Sequence, residues 1–286
     1  KGDFSINGFH NPLISSNLTG NISLDKIAFF INSPATKLVG NSTFDIQIKA
    51  QKLDENFRIK DLNGDVSILE GKASYTTKQI DIDFDELHFA LSNTDMKIRG
   101  NRFKYQSDLF DFNTNIPNWI DVFLEKSQTI IVGGKMNFDL FTTSVWTDFF
   151  NKFDESNDTT YNVKVQINKL KLDINTFHFD KALFHDVEIQ HLELKEQIDL
   201  HHVKAKGQDG DYYIDNIKIN NRDDGYSILT NGELNRISVD KLLYEFNDFQ
   251  QTLINSNQIK GEISSIFKAS FFINPTKSFD LKSLTF

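Results

Sequence analysis

Five histidines between residues 178 and 202, namely His178, His185, His191, His201 and His202, are the residues of this chain whose type most invites chemistry. Neutral imidazole is a common transition-metal ligand and the usual proton carrier near neutral pH. Their spacing does not support either role. No His-x-x-x-His helical pair occurs, and no histidine joins carboxylates at ligand spacing. His191 and the pair His201-His202 fall where polar residues of any kind recur, so solvated side chains account for them. Asp61-Leu-Asn63-Gly-Asp65 resembles the start of a calcium loop, but its glycine comes two residues early and Lys72 stands at the closing acidic position. A turn is expected there instead. Gln208-Asp209-Gly210-Asp211 is expected to be a hairpin connection, and Asp81, Asp83 and Asp85, alternating with apolar residues, the wet face of a strand. No nucleophile elbow, phosphate-binding glycine loop or zinc motif is present in the sequence. The expectation is a protein without catalytic residues, metal or cofactor, and therefore not an enzyme.

The elements that would have to position any site are dominated by one eight-residue pattern: apolar, polar, apolar, polar, polar, apolar, polar, apolar. It reads Val165, Ile167, Leu170, Leu172; then Val187, Ile189, Leu192, Leu194; then Ile198, Leu200, Val203, Ala205; and, with Tyr213 in a polar slot, Tyr212, Ile214, Ile217, Ile219. Outlying copies are Ile22, Leu24, Ile27, Phe29; Ile82, Phe84, Leu87, Phe89; and Phe279, Leu281, Leu284, Phe286. Alternation demands strand, while the doubled polar pair breaks parity and would turn half of each row to the other face. A bulge at Asn168-Lys169, Gln190-His191, His201-His202 and Asp215-Asn216 restores one apolar face and coils the strand. The competing reading is a two-residue hairpin turn, which favours Asn-Gly or Asp-Gly, and none of these pairs contains glycine. The bulge is the better reading.

The fold class expected is mainly β: a long curved antiparallel meander, a groove-like sheet with a few short amphipathic helices. Residues 1–153 form a first meander half, 154–160 a polar boundary or loop, and 161–286 a second half. In the first half, Asn7-Gly8, Gly40-Asn41, Asn63-Gly64, Gly71 and Gly100-Asn101 are expected to separate strands. Helical spacing predicts helices near 117–126, 144–153 and 238–255, the last opened by Ser238 and followed by a glycine-led strand at Gly261 that ends at Pro275. Asn231-Gly232 is expected to be a turn.

A net charge of −9 with both signs interspersed argues against nucleic acid as a partner. Zero cysteines exclude disulfides and cysteine-ligated metal while fitting any redox compartment. The 27 phenylalanines have a simple compositional explanation in an AT-rich genome, and the sequons at Asn17, Asn41 and Asn157 are expected by chance in so asparagine-rich a chain. The chain opens on Lys1 and ends at Phe286 inside a copy of the pattern, which suggests a piece of something longer. No run approaches a spanning helix, so any membrane anchor is expected outside it.

What remains is the apolar rows. They could be the core of a closed sandwich, or the floor of a groove for acyl chains, in which each buried methylene contributes about 0.8 kcal/mol. The groove reading assigns lipid contact to Ile82, Phe84, Leu87, Phe89, Val165, Ile167, Leu170, Leu172, Val187, Ile189, Leu192 and Leu194.

In Phe184-His-Asp-Val-Glu-Ile-Gln-His-Leu-Glu-Leu194, the strand Ile198 to Gly207, Gly232-Glu-Leu before Val239-Asp-Lys-Leu-Leu, and Gln258-Ile-Lys-Gly-Glu-Ile263, the chain resembles the carboxy-terminal region of the AsmA-like family, bacterial relatives of repeating-β-groove and bridge-like lipid-transfer proteins. The likeness is looser through Asp61-Leu-Asn-Gly-Asp-Val66 and Gly133 to Leu140. The resemblance implies a Gram-negative cell-envelope protein with its body in the periplasm, anchored to the inner membrane through a segment not present here. It also implies a role in outer-membrane biogenesis or phospholipid transport, with phospholipid or another acyl lipid and envelope proteins as partners. The alternative is a structural scaffold or adhesion module whose apolar core is closed.

Overall fold

The computed structural model describes residues 1–8, 10–26, 36–53, 56–124, 126–154, 164–222, 225–250, 254–273 and 279–285. The chain divides into two compact units, one of Lys1–Val132 with Lys152–Val165, the other of Gly133–Asn151 with Gln166–Phe286. The protein is mainly β, and in each unit the strands follow one another antiparallel in sequence order.

The first unit holds β1 (Gly2–Asn7), β2 (Leu13–Ser23), β3 (Thr36–Leu53), β4 (Asn56–Tyr75), β5 (Ile80–Ser92), β6 (Met96–Tyr105) and β7 (Asp108–Ile116), followed by the short helix α1 (Trp119–Phe123). Cross-strand partners share a face of an antiparallel sheet. Phe4, Ser16 and Ile48 are joined in register to Leu62, and Ile22, Ser42, Ile68, Leu87 and Gly100 form another row. The opposite face carries Gln47, Asn63 and Ser92, or Thr43, Ser67, His88 and Arg99. Alternation along each strand thus becomes one apolar and one polar face of a single layer. Helix α1 is tied down by Trp119, whose indole N–H donates to the Ser92 carbonyl at 3.0 Å. Asn118 just before it bridges strand β8 (Thr129–Thr142), donating to the Thr129 carbonyl at 2.6 Å and accepting from the Ile131 amide at 3.1 Å.

In the second unit, the rest of β8 and helix α2 (Thr143–Asp154) lead to β9 (Lys164–Phe179), β10 (Ala182–Leu194), β11 (Ile198–Gly207), β12 (Gly210–Arg222) and β13 (Gly225–Ser238). Helix α3 (Val239–Glu245) then precedes β14 (Glu262–Ile273) and β15 (Phe279–Thr285). The β9–β10 connection is two residues long, and so is that between β11 and β12, where Gln208 and Asp209 both have positive φ, 47° and 64°. The hairpin expected at residues 208–211 is therefore present without an asparagine-glycine pair.

Several expectations fail for one physical reason. Gly40-Asn41 lies inside β3, the calcium-like Asp61 to Asp65 stretch, Asn63-Gly64 and Gly71 lie inside the twenty-residue β4, Gly100-Asn101 inside β6, and Asn231-Gly232 inside β13. These glycines do not turn the chain; they make room across strands. A Cβ on Gly71 would sit 2.0 Å from the ring of its partner Phe84, and one on Gly100 would sit 2.2 Å from Phe112. The strands are accordingly fewer and longer than turn residues suggested. Of the expected turn pairs only Asn7-Gly8 stands at a strand end, Asn7 closing β1 and Gly8, at φ 91°, following it.

The first and third helices are shorter than their spacing predicted, and the second is one residue longer at each end. The first is confined to Trp119–Phe123, the second fills Thr143–Asp154, and the third stops at Glu245 rather than near 255 because Asn247, Asp248 and Phe249 all take left-handed backbone, φ 50–54°. Ser238 occupies the capping position, yet its hydroxyl donates to the Asp240 carboxylate at 2.7 Å rather than accepting from the helix backbone. The row at Ile22 ends as strand at Ser23, with Leu24 in a helical turn, and Ile27 and Phe29 lie outside the described residues. So do residues 155–160, Pro275 and Phe286.

Candidate functional site

The four neighbouring copies of the pattern become four stacked strands whose apolar residues meet in register. One row runs Leu172, Ile189, Val203, Ile214, Gly232, Phe267; the next Leu170, Leu192, Leu200, Ile217, Thr230, Ala269; the next Ile167, Leu194, Ile198, Ile219, Ile228, Phe271. Each row crosses β9 through β14. The opposite face carries His191, His201, Asn216, Asn231 and Lys268 in one row, and Lys204, Tyr213 and Glu233 in another.

Register settles the polar pairs. Every one of the four strands continues through its pair without reversing. Leu170 and Leu172 are two apart on β9 and share a face; their partners Leu192 and Ile189 therefore share it too, although three residues apart. By the same step Leu200 joins Val203, and Ile217 joins Ile214. On β10 two residues, Gln190 and His191, oppose the single Lys171; on β9 Asn168 and Lys169 oppose the single Glu193. These are bulges, and Lys169 (φ 56°) and His202 (φ 52°) supply their left-handed residues. Between β10, β11 and β12 the bulges stand at the same level, so no register is lost there. The bulge reading holds at all four pairs.

Along the strands the face changes character. Near the β9–β10 and β11–β12 hairpins it is buried, with Ile174, Val187, Ile189 and Val203 all less than a tenth exposed. There aromatic rings close over it. Trp146 of α2 packs against Phe138, Phe141 and Phe149; Phe141 continues to Phe177, Phe177 to Phe184, and Phe184 to Tyr212 at 5.5 Å. Burial, with the Glu245 charge second, pushes the Tyr212 phenol well above its ordinary value, and its hydroxyl donates to Gln208. Toward the other end, Leu194, Ile198, Ile219 and Ile228 are half-buried. Every strand of the unit belongs to one sheet order, and no second sheet among the described residues packs on these rows.

The first unit has the same backbone device with a different filling. Glu70 and Arg102 are its left-handed bulge residues (both φ 50°), and Arg102 donates its freed amide to the Asp111 carboxylate at 2.6 Å. Ile82, Phe84, Leu87 and Phe89 share the apolar face of β5, since their partners Tyr105, Gly100 and Ile98 on β6, and Gly71 on β4, line one face. Phe84 is buried under Phe103, stacked at 4.7 Å, while Ile82, Leu87 and Phe89 are half-buried. Exposure rises toward β1, where Phe4 is 66% and Ile6 57% exposed.

Of the other assigned residues, Leu170, Val187 and Ile189 are buried, Ile167, Leu172, Leu192 and Leu194 half-buried, and Val165 is 53% exposed. The rows also enlist Ile198, Leu200, Ile217, Ile219, Ile228, Phe267 and Phe271, which the sequence assignment left out. The first four lie in the repeat itself, so the signal for them was present. His191 and His201 are cross-strand partners on the polar face, and His88 pairs with Asp65 at 3.0 Å. No group of three or more histidines and carboxylates placed to hold a metal occurs among the described residues. Ionisable groups on the polar face are instead tied in pairs, such as the half-buried Lys171 with Glu188 at 2.9 Å and the exposed Lys206 with Asp186 at 2.8 Å. Neither a family model, a curated protein nor a solved structure matches the chain.

Proposed function

We propose that the apolar face holds the acyl chains of phospholipid or a similar lipid, and that the protein is a non-enzymatic, AsmA-like component of lipid transport between the membranes of a Gram-negative envelope. In this reading its body lies in the periplasm and is anchored to the inner membrane by a segment outside these residues. The observation that carries the proposal is the half-buried part of the rows: Leu192, Leu194, Ile198 and Ile219 stay partly open to solvent across several adjacent strands. A closed core would bury them. An uncovered run of aliphatic side chains gains about 25 cal/mol for each Å² of apolar surface that a ligand removes from water. Hydrocarbon needs no hydrogen-bonding partner, and in the three rows across β9 to β14 only the Thr230 hydroxyl could offer one.

Aspartate at Leu192 and at Leu170 tests it. Leu192 is half-buried, so Leu192→Asp is expected to fold and to lose co-purified phospholipid in native mass spectrometry. Leu170 is 5% exposed, so Leu170→Asp is expected to lower stability by about 3 kcal/mol or more. A wild-type protein that folds and never carries lipid, in extracts or after incubation with phospholipid vesicles, would leave the closed scaffold as the better reading.

A further inference from the structure

The strand-to-helix segment after β13 is built differently from the rest of the second unit. Helix α3 lies by the β11–β12 hairpin, and Leu243 is its only buried residue. Its remaining ties are polar or lie at the surface. Lys241 reaches the Asp209 carboxylate at 2.5 Å with both side chains half or more exposed; the Lys181 ammonium sits 5.7 Å from the centre of the Tyr244 ring; and the Gln208 amide donates to Glu245. Beyond the helix, Phe246 packs on Phe179 and stacks on Phe249 at 5.6 Å. Asn247, Asp248 and Phe249 hold this turn in three consecutive left-handed conformations, a backbone that asparagine and aspartate tolerate and phenylalanine resists. At the other end the chain enters from Ser238, whose amide donates to the Gln208 carbonyl, and the Val239 amide donates to Gly261, itself at φ 135°. Helix α2 offers the contrast: it is anchored through Trp146 among three phenylalanine rings.

We infer that residues 239–249 form a displaceable cover over the hairpin end of the apolar rows, hinged at Ser238–Val239 and latched by the Lys241–Asp209 and Gln208–Glu245 pairs. The inference rests on the acyl-binding reading and adds its regulation. With the cover down, an acyl chain has access to the half-buried rows only. With it raised, the hairpin end of the rows at Tyr212, whose hydroxyl reaches Glu245 through Gln208, becomes available. One exposed ion pair, one side-chain hydrogen bond, one ring contact to Phe179 and one buried leucine hold the cover, and of these the exposed pair contributes little.

The absence of cysteine makes a clean test. Asp209→Cys with Lys241→Cys places two thiols where side chains already meet, and a short bis-maleimide with a reducible disulfide spacer locks the cover. Uptake of fluorescent phosphatidylethanolamine from phosphatidylethanolamine–phosphatidylglycerol vesicles is expected to fall at least about tenfold on locking and to recover on reduction. Lys241→Ala, which removes only the surface pair, is expected to speed uptake about two- to five-fold, the range of an exposed ion pair. A melting curve on each sample checks folding. Equal uptake by locked and unlocked protein would overturn the cover and leave acyl binding standing. No uptake by any form, including wild type, would overturn both.

Discussion

The two units solve one geometric problem with different side chains. Both are antiparallel meanders in which bulges align across three neighbouring strands, β4 to β6 and β10 to β12, and in both a left-handed arginine marks a bulge whose freed amide is taken by a side chain: Arg102 by Asp111 at 2.6 Å, Arg236 by the Ser264 hydroxyl at 2.9 Å. The apolar faces then diverge. The first unit fills its face with phenylalanine rings, Phe84 on Phe103 at 4.7 Å and Phe103 against Phe112 at 4.9 Å. A ring lying across the neighbouring strand needs empty space there, and Gly71, Gly100 and Gly20 provide it beneath Phe84, Phe112 and Phe44. Over β9 to β12 the second unit uses leucine, isoleucine and valine for most of its rows, and its rings gather where α2 and α3 lie. Aliphatic side chains stand off the sheet and tolerate side chains opposite, so strands of that surface can repeat one pattern nearly unchanged. The backbone is common property; the filling decides which part of the face is packed and which stays open.

The largest expected effect breaks the aromatic arrangement alone. Gly71→Ala puts a methyl 2.0 Å from the Phe84 ring, and denaturant unfolding is expected to show a loss of about 1–3 kcal/mol. Adding Phe84→Leu should return part of that loss, because the smaller side chain vacates the space over residue 71. The second unit uses the device too, with Phe184 over Gly207, and if Gly71→Ala is neutral, ring-over-glycine packing is not what holds the aromatic face of the first.

A smaller effect separates bulge from imidazole. His201→Asn with His202→Asn is expected to change stability by no more than about 0.5 kcal/mol and to release no metal on elemental analysis, since asparagine accepts the left-handed backbone that residue 202 requires (φ 52°). His202→Val should cost more than the double asparagine variant, because a β-branched residue resists that conformation. The reverse order would point to chemistry at the histidines.

The smallest effect concerns charge near the second arginine bulge. Arg236 donates to both carboxylate oxygens of Glu262, and this hydrogen bond, then the charge itself, lowers the Glu262 carboxyl below its ordinary 4.5. A carboxyl depressed in the folded state contributes stability above its unfolded value and loses it as pH falls through the lower folded value. Melting temperature should therefore drop on acidification below about pH 4.5, and Glu262→Gln should flatten that drop slightly, the pair being exposed. An unchanged slope would show that the pair does not contribute.

Much of this protein was legible in the order of its residues. Alternation with a doubled polar pair dictates bulged strand whatever surrounds it, because side-chain direction follows backbone period; the register of β10 through β12 matches three copies slot for slot, and β9 is displaced from them by one slot. The absence of glycine from those pairs also weighed correctly against turns. Glycine misled where it was read as punctuation. Gly71 and Gly100 are glycine because of Phe84 and Phe112, partners that pairing brings opposite them and that a local pattern does not reveal. Likewise the spacing of Val239, Leu242, Leu243, Phe246 and Phe249 is helical, but three left-handed residues end the helix and send Phe246 to a ring on β9, a contact made across more than sixty residues of chain. Burial of the rows was decided at the same level. Leu170 and Leu192 occupy equivalent slots beside their bulges and face each other, yet one is buried and the other half-buried, because exposure depends on what the folded chain lays over a side chain and not on the strand that carries it.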